Sequence, residues 1–295
     1  MSTTTTGLLP QAAASESRPA GIPSFLELEI TGFCQSKCVH CYAESGPHGS
    51  RGTMTTGDWE RVIDQAASIG VRMVQFIGGE PTLDPDLPRL VRYALGAGLK
   101  VYVYSNLVHV TPPLWDLFSQ PGMSLGTSWY SADPGMHAEI TGSQASYART
   151  RASIAEAIRR RIPVRAAIVE IAENQGIEEA AAELRRLGVT DIRIRRAQGV
   201  GRGARGDSGQ LVSELCGNCG IDRAAVLPDG QLTPCVVGRW LDCGNVRDTP
   251  LAQILSGPAW RHTMTLVPRH ADACSAVSGC APASDGNDCP PASCQ

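Results

Sequence analysis

The sequence predicts an α/β fold, a partial (β/α)6 TIM barrel that stays open, followed by a small cysteine-rich unit. Three observations carry this expectation. From Phe25 to Arg196, short β-branched apolar runs alternate with longer runs of helical period. At 295 residues the chain can bury one large core and a smaller one beside it. Its eleven cysteines are unevenly spread: three at 34–41, none from 42 to 215, and eight at 216–294.

The strand candidates are 25–31, 72–78, 100–106, 124–129, 164–170 and 191–196, apolar in the manner of buried parallel strands. Helical period falls on 55–70, 86–98, 148–161 and 176–188, the first opening on Thr and Asp and closing at Gly70. Helices between successive strands demand parallel strands and right-handed crossovers. Six such units fall short of the eight that close a barrel; an open doubly wound sheet is the alternative arrangement of the same elements. Residues 197–210 are Gly- and Arg-rich and read as a linker or active-site loop. Within them, "GVGRG" (199–203) lacks the phosphate-loop form and reads as a flexible segment at the barrel mouth. The boundaries expected are a disordered tail at 1–22, a barrel at 23–205 and a cysteine-rich domain at 206–295. In the last, only 249–264 has helical character, and "PDG" (228–230) marks a hairpin between "AAVL" and "QLTPC". So little apolar periodicity calls for staples, which cysteines supply through metal.

A net charge of −3 with 19% charged residues excludes the basic surplus of a nucleic-acid binder. The arginine runs at 159–161, 193–196 and 202–205 read as solvated faces. No secretory signal and no run of transmembrane length are present, so a cytoplasmic protein without membrane contact is expected. In a reducing compartment clustered thiols bind metal more often than they form disulfides. His109, His137, His262 and His270 join no ligand spacing and read as structural.

Cys34, Cys38 and Cys41 follow directly on the first strand, where loops of a parallel barrel carry function. Structural zinc takes four ligands, and His40 is too close to Cys41 to join it on one ion. A four-iron cluster on three cysteines leaves one iron open to a substrate or cofactor. This spacing, with Tyr42 after the last cysteine, resembles the signature of the radical S-adenosylmethionine (radical SAM) superfamily. A second match is "GGEP", Gly78, Gly79, Glu80 and Pro81, at the end of the second strand candidate. The resemblance implies that this segment approaches the methionyl amine of SAM through its backbone and acidic side chain. Glycine permits the close approach, and a carboxylate suits an ammonium. It also implies that SAM chelates the open iron of a [4Fe–4S] cluster, and that reductive cleavage gives a 5′-deoxyadenosyl radical that abstracts hydrogen from the substrate. By the same resemblance Ser105, Asn106 and Ser128 end strands near the ribose, and Arg149, with Thr150, lies near the SAM carboxylate.

The second cysteine group opens with Cys216 and Cys219, then Gly230 and Cys235, with "GNV" at 244–246. This resembles the start of the SPASM/twitch extension of radical SAM enzymes and implies one or two auxiliary [4Fe–4S] clusters. The end departs from the SPASM pattern, offering Cys243, Cys274, Cys280, Cys289 and Cys294 instead. One division gives Cys216, Cys219, Cys235 and Cys243 to one cluster and the last four to another. In the other, a late cysteine completes the first cluster and frees Cys243 as a hydrogen-atom donor.

Radical SAM proteins with such ends mostly modify peptides, so a ribosomally made precursor peptide is the expected substrate, through crosslinking, thioether formation or epimerisation. A dehydrogenase or epimerase acting on a sugar or aminoglycoside is the alternative. The resemblance further implies an electron donor of the flavodoxin or ferredoxin type. Because residues 1–22 cannot form a winged-helix leader-binding domain, a separate recognition protein is also expected.

Overall fold

Every residue of the first strand, β1 (Phe25–Thr31), is buried, because it is paired on both edges and covered on both faces. The computed structural model describes residues 21–204 and 210–268. Most of the expected tail, and Cys274, Cys280, Cys289 and Cys294, lie outside the described residues.

After β1 come β2 (Met73–Gly78), β3 (Lys100–Tyr104), β4 (Met123–Trp129), β5 (Val164–Glu170) and β6 (Asp191–Arg196), each parallel to its neighbour. Helices α1 (Thr56–Ser68), α2 (Leu87–Gly96), α3 (Pro112–Phe118), α4 (Pro134–Thr141), α5 (Ser146–Arg159) and α6 (Ile177–Arg186) fill the crossovers. Their apolar stripes cover one face of the sheet, where Leu26, Leu28, Val74, Phe76, Val101, Leu125 and Ile168 meet Val62, Ile63, Leu90, Ile154 and Leu184 in one core. Full burial of such a side chain contributes about 1.5–3 kcal/mol. α1 starts where the sequence places it: Thr55 and Asp58 exchange hydrogen bonds in a capping box, and Gly70 at φ 89° ends the turn.

The cysteine-rich part joins this sheet. β7 (Arg223–Val226) pairs parallel with the free edge of β1, and β8 (Leu232–Thr233) returns antiparallel, giving the order β6-β5-β4-β3-β2-β1-β7-β8. The turn between them is the expected "PDG" hairpin, with Gly230 at φ 90°. The stretch 249–264 forms two helices, α7 (Leu251–Leu255) and α8 (Pro258–Leu266), because Gly257 separates them. Among the described residues no helix is long and apolar enough to cross a membrane.

Parallel register puts Glu27 and Glu29 of β1 on the face away from the helices. Both are buried, and desolvation pushes both carboxyls above their ordinary range. The C-terminal part supplies their partners. Arg239 donates to both oxygens of Glu29 at 2.8 and 3.2 Å, and the Val236 N–H donates to Glu27 at 3.1 Å. The Arg223 guanidinium lies 3.9 Å from Glu27.

Candidate functional site

Beyond β1 the chain closes on itself between Gly32 and Ser50. The Gly32 N–H donates to Ser50 O at 2.7 Å and the Cys34 N–H to Gly46 O at 3.1 Å. Inside this loop the Cys41 N–H donates to Cys38 O and the Glu44 N–H to Cys41 O, which curls the three cysteines into successive turns. The outer side is pinned to the end of α4, with the Lys37 N–H on Thr141 O and the Val39 N–H on Ile140 O.

The Gly78–Pro81 segment lies directly on the base of this loop. The Gly79 N–H donates to Thr31 O at 2.7 Å and the Glu80 N–H to Phe33 O at 2.8 Å. A Cβ at position 78 would stand 2.2 Å from Thr31 O, and one at 79 would stand 2.1 Å from Phe33 O. The structure thus gives the glycines a cause inside the protein: two loops packed backbone on backbone. Glu80 likewise has internal partners. One oxygen accepts from the Thr82 N–H, the Thr82 hydroxyl and the Ser105 hydroxyl at 2.7–3.0 Å; the other accepts from the Asn106 N–H at 2.8 Å. The carboxylate that the sequence reading aims at an ammonium is fully buried and latches the end of β2 to the exit of β3.

That exit is strained. Leu107 is fully buried at φ 56°, a left-handed conformation that a branched side chain rarely adopts. Its N–H donates to Ser105 Oγ at 2.9 Å. Asn106 ties these segments together: its amide nitrogen lies 3.8 Å from Cys34 Sγ, its amide oxygen accepts from Gln35 Nε2 at 3.0 Å and from the Val108 N–H at 2.9 Å, and its carbonyl accepts from Thr150 Oγ1 at 2.8 Å. Thr150 thus ties α5 to the exit of β3. Ser128 shares a 3.1 Å hydrogen bond with Tyr104. Arg149 is exposed on α5. Tyr42 Oη is buried without a hydrogen-bond partner among the described residues, close to the Glu29–Arg239 pair.

Burial pushes the Cys34 thiol up to about 11 and the Cys38 thiol to about 12, with neighbouring cysteines adding to both shifts. His40 is pushed down to about 4 by burial and then by Arg202, which keeps it neutral; its ring meets Tyr130 edge to face at 5.1 Å. Among the described residues no three His, Cys, Asp or Glu side chains already converge on one metal-ion position, so the fit of a cluster rests on donor chemistry. Three crowded thiols in one loop suit an iron–sulfur cluster, which displaces their protons on binding. The Ser36 N–H at 3.4 Å and the Asn106 amide at 3.8 Å supply donors to the Cys34 sulfur.

In the second group, Cys219 and Cys235 are buried with their sulfurs 2.9 Å apart, and the Gly238 N–H donates to Cys235 Sγ at 3.3 Å. Cys216 is exposed and its thiolate is favoured, first by the hydrogen bond from Cys219 and then by Arg223 and Arg195. Arg223 is half-buried, with its Nε buried and without a hydrogen-bond partner among the described residues, between Glu27 and these cysteines. Cys243 sits elsewhere: it packs in the main core with Trp260 and Ile254, and its thiol faces Leu241 O at 3.6 Å. It shares no apolar cluster with Cys219 and Cys235, which pack with Leu215, Leu241 and Val267.

Sequence reasoning missed Gln35, Thr82, Tyr130 and Arg202. Only Arg202 left a signal, in "GVGRG". That segment is bonded to the cysteine loop; it does not hang free at the mouth.

Comparison with known proteins agrees with this geometry. The radical SAM superfamily matches residues 28–184, and the SPASM iron–sulfur cluster-binding domain matches residues 216–281. An AdoMet-dependent heme synthase of Methanosarcina barkeri is 32% identical over 133 residues, 45% of this chain and 38% of that protein. A PqqA peptide cyclase of Ruegeria pomeroyi is 32% identical over 143 residues, 48% of this chain and again 38% of that protein. The alignments thus span well under half the length of these curated relatives. Streptococcus suis SuiB bound to its precursor peptide SuiA shares the fold, with TM-score 0.69 and 15% identity over 83% of this chain and 67% of that one. With more than half its length matched and its cysteine loop resting on the Gly-Gly-Glu-Pro turn, the chain belongs to the radical SAM superfamily and carries a SPASM domain, and so calls for a [4Fe–4S] cluster, SAM and auxiliary iron–sulfur chemistry.

Proposed function

We propose that this chain modifies a ribosomally made precursor peptide by abstracting hydrogen from it, forming a crosslink or thioether or epimerising a residue. The observation that carries the chemistry is the placement of Cys34, Cys38 and Cys41 on a closed loop bonded to Gly79 and Glu80. A four-iron cluster held by three thiolates has one iron open for SAM. The peptide is supported by the name of the PqqA peptide cyclase relative and by the precursor peptide bound to SuiB.

With a [4Fe–4S] cluster bound, the site supplies one-electron reduction of SAM. Cys34, Cys38 and Cys41 hold the cluster. Gly78, Gly79 and Pro81, fastened to the loop, present backbone toward SAM, and Glu80 fixes their position through Ser105 and Asn106. Tyr42, Ser128 and Arg149 complete the proposed SAM surroundings. Cys216, Cys219 and Cys235 are proposed auxiliary ligands, joined by cysteines from 274, 280, 289 and 294. The core position of Cys243 favours a role apart from that cluster, as a structural thiol or hydrogen-atom donor. A flavodoxin- or ferredoxin-type donor, a separate leader-recognition protein and a cytoplasmic setting complete the reading, with the division between the units near residue 205.

The reading is tested under anaerobic reduction with SAM and a short peptide encoded beside the gene, followed by mass spectrometry. A loss of two hydrogens is expected for crosslinking; an unchanged mass in H2O together with incorporation of deuterium when the reaction is run in D2O instead identifies epimerisation. An unmodified peptide together with conversion of a sugar would replace the peptide reading. Cys38→Ala is expected to abolish deoxyadenosine formation, and wild-type formation in that variant would remove the assigned site.

A further inference from the structure

Residues 185–215 lie between the superfamily match and the cluster-domain match, yet they reach the cysteine loop. After β6 the chain makes a tight turn at Gly201–Gly203. There Arg202 donates three hydrogen bonds, all to carbonyls of that loop: Nε to Cys38 O at 2.8 Å, Nη2 to Ser45 O at 2.7 Å, and its own N–H to Cys41 O at 3.0 Å. Gly201 makes the approach possible. It sits at φ 58°, and a Cβ there would stand 2.4 Å from Tyr42 O and 2.6 Å from Cys41 O. The guanidinium fork joins the Cys38 and Ser45 carbonyls across the loop, and the main-chain N–H takes the Cys41 carbonyl between them. A guanidinium is built for this, since its donors diverge in one plane while an ammonium is a point charge. The Cys38 contact also fixes a full positive charge against the cysteine loop.

We propose that Arg202 is a positioning residue for the first cluster: its donors hold the cysteine loop in ligating shape, and its charge beside the thiolates raises the cluster's reduction potential. The proposal rests on the assignment of Cys34, Cys38 and Cys41 as ligands. Losing the side chain removes the bonds to Cys38 O and Ser45 O while the backbone bond to Cys41 O stays, so the loop loosens around Cys38. Losing the cation makes each added electron less favourable, which shifts the potential negative.

The full-length chain is reconstituted anaerobically as wild type, Arg202→Met, Arg202→Lys and the triple variant Cys34→Ala/Cys38→Ala/Cys41→Ala. The readouts are the electron paramagnetic resonance signal that changes on adding SAM, quantified per chain, and its redox titration. In Arg202→Met, loading is expected to fall at least threefold. In its loaded fraction the reduced-to-oxidised ratio at fixed potential should fall about tenfold, about 59 mV for one electron. Arg202→Lys should load as poorly but titrate like wild type, because it keeps the charge and loses the fork. Auxiliary-cluster signal at wild-type level reports a folded variant; if Arg202→Met lacks it, the loading of Arg202→Lys decides. Wild-type loading and potential in both variants would overturn the proposal. A SAM-responsive signal surviving in the triple variant would instead overturn the ligand assignment.

Discussion

Glu80 shows how a residue chosen for chemistry can also be held by structure. Its carboxylate accepts from two backbone N–H groups and two hydroxyls, and all four donors are arranged for an acceptor. Glu80→Gln turns one acceptor into an NH2 facing a donor. Leaving a buried donor unpaired costs about 1–3 kcal/mol, so thermal unfolding should begin several degrees lower; an unchanged melting temperature would show that the latch bears no load. The type and spacing of Cys34, Cys38, Cys41 and Gly78–Pro81 were legible in the sequence because chemistry fixes them. Their partners were not. Gln35, Thr82, Tyr130 and Arg202 are ordinary residues until folding brings them together, and Arg202 lies 164 positions from the Cys38 carbonyl it bonds.

At the level of elements, α1 was readable because its start is local. Thr55 and Asp58 form their capping box within four residues, and hydrogen bonds from Thr55 hold the Asp58 carboxyl down to about 2. Thr55→Ala should cost about 1 kcal/mol at neutral pH, measured by denaturant unfolding. The sign of the pH effect follows from the lowered value. The carboxylate's share of the stabilisation is full above the ordinary carboxyl value of 3.8 and fades as the pH falls toward 2, so the gap between variant and wild type should narrow over that window to what the cap bond from the Asp58 N–H to the Thr55 hydroxyl contributes. The six strands β1–β6 were legible in the sequence, but β6 departs from the expected buried apolar type: Asp191–Arg196 is the sheet's edge strand and its end is exposed. α3 and α4, of seven and eight residues, were not legible, since two turns opened by proline show too little period to stand out. The pairing of β7 with β1 was hidden for another reason: the hairpin's sequence specifies its own turn and says nothing about a parallel neighbour almost the whole barrel away.

For the molecule as a whole, that pairing ties the two cysteine sites into one body. Glu27 and Glu29 would be costly buried charges if the barrel stood alone, and Val236, Arg223 and Arg239 of the C-terminal part answer them. A fragment cut after residue 204 would therefore keep the three-cysteine loop and the turn beneath it while losing those partners. It would also bare a row of unsatisfied amides and carbonyls along its innermost ribbon, a ready template for another chain. Such a fragment should sediment as aggregates where the intact protein stays dispersed. A monomeric, cooperatively melting fragment would mean that the barrel needs no support from its C-terminal neighbour.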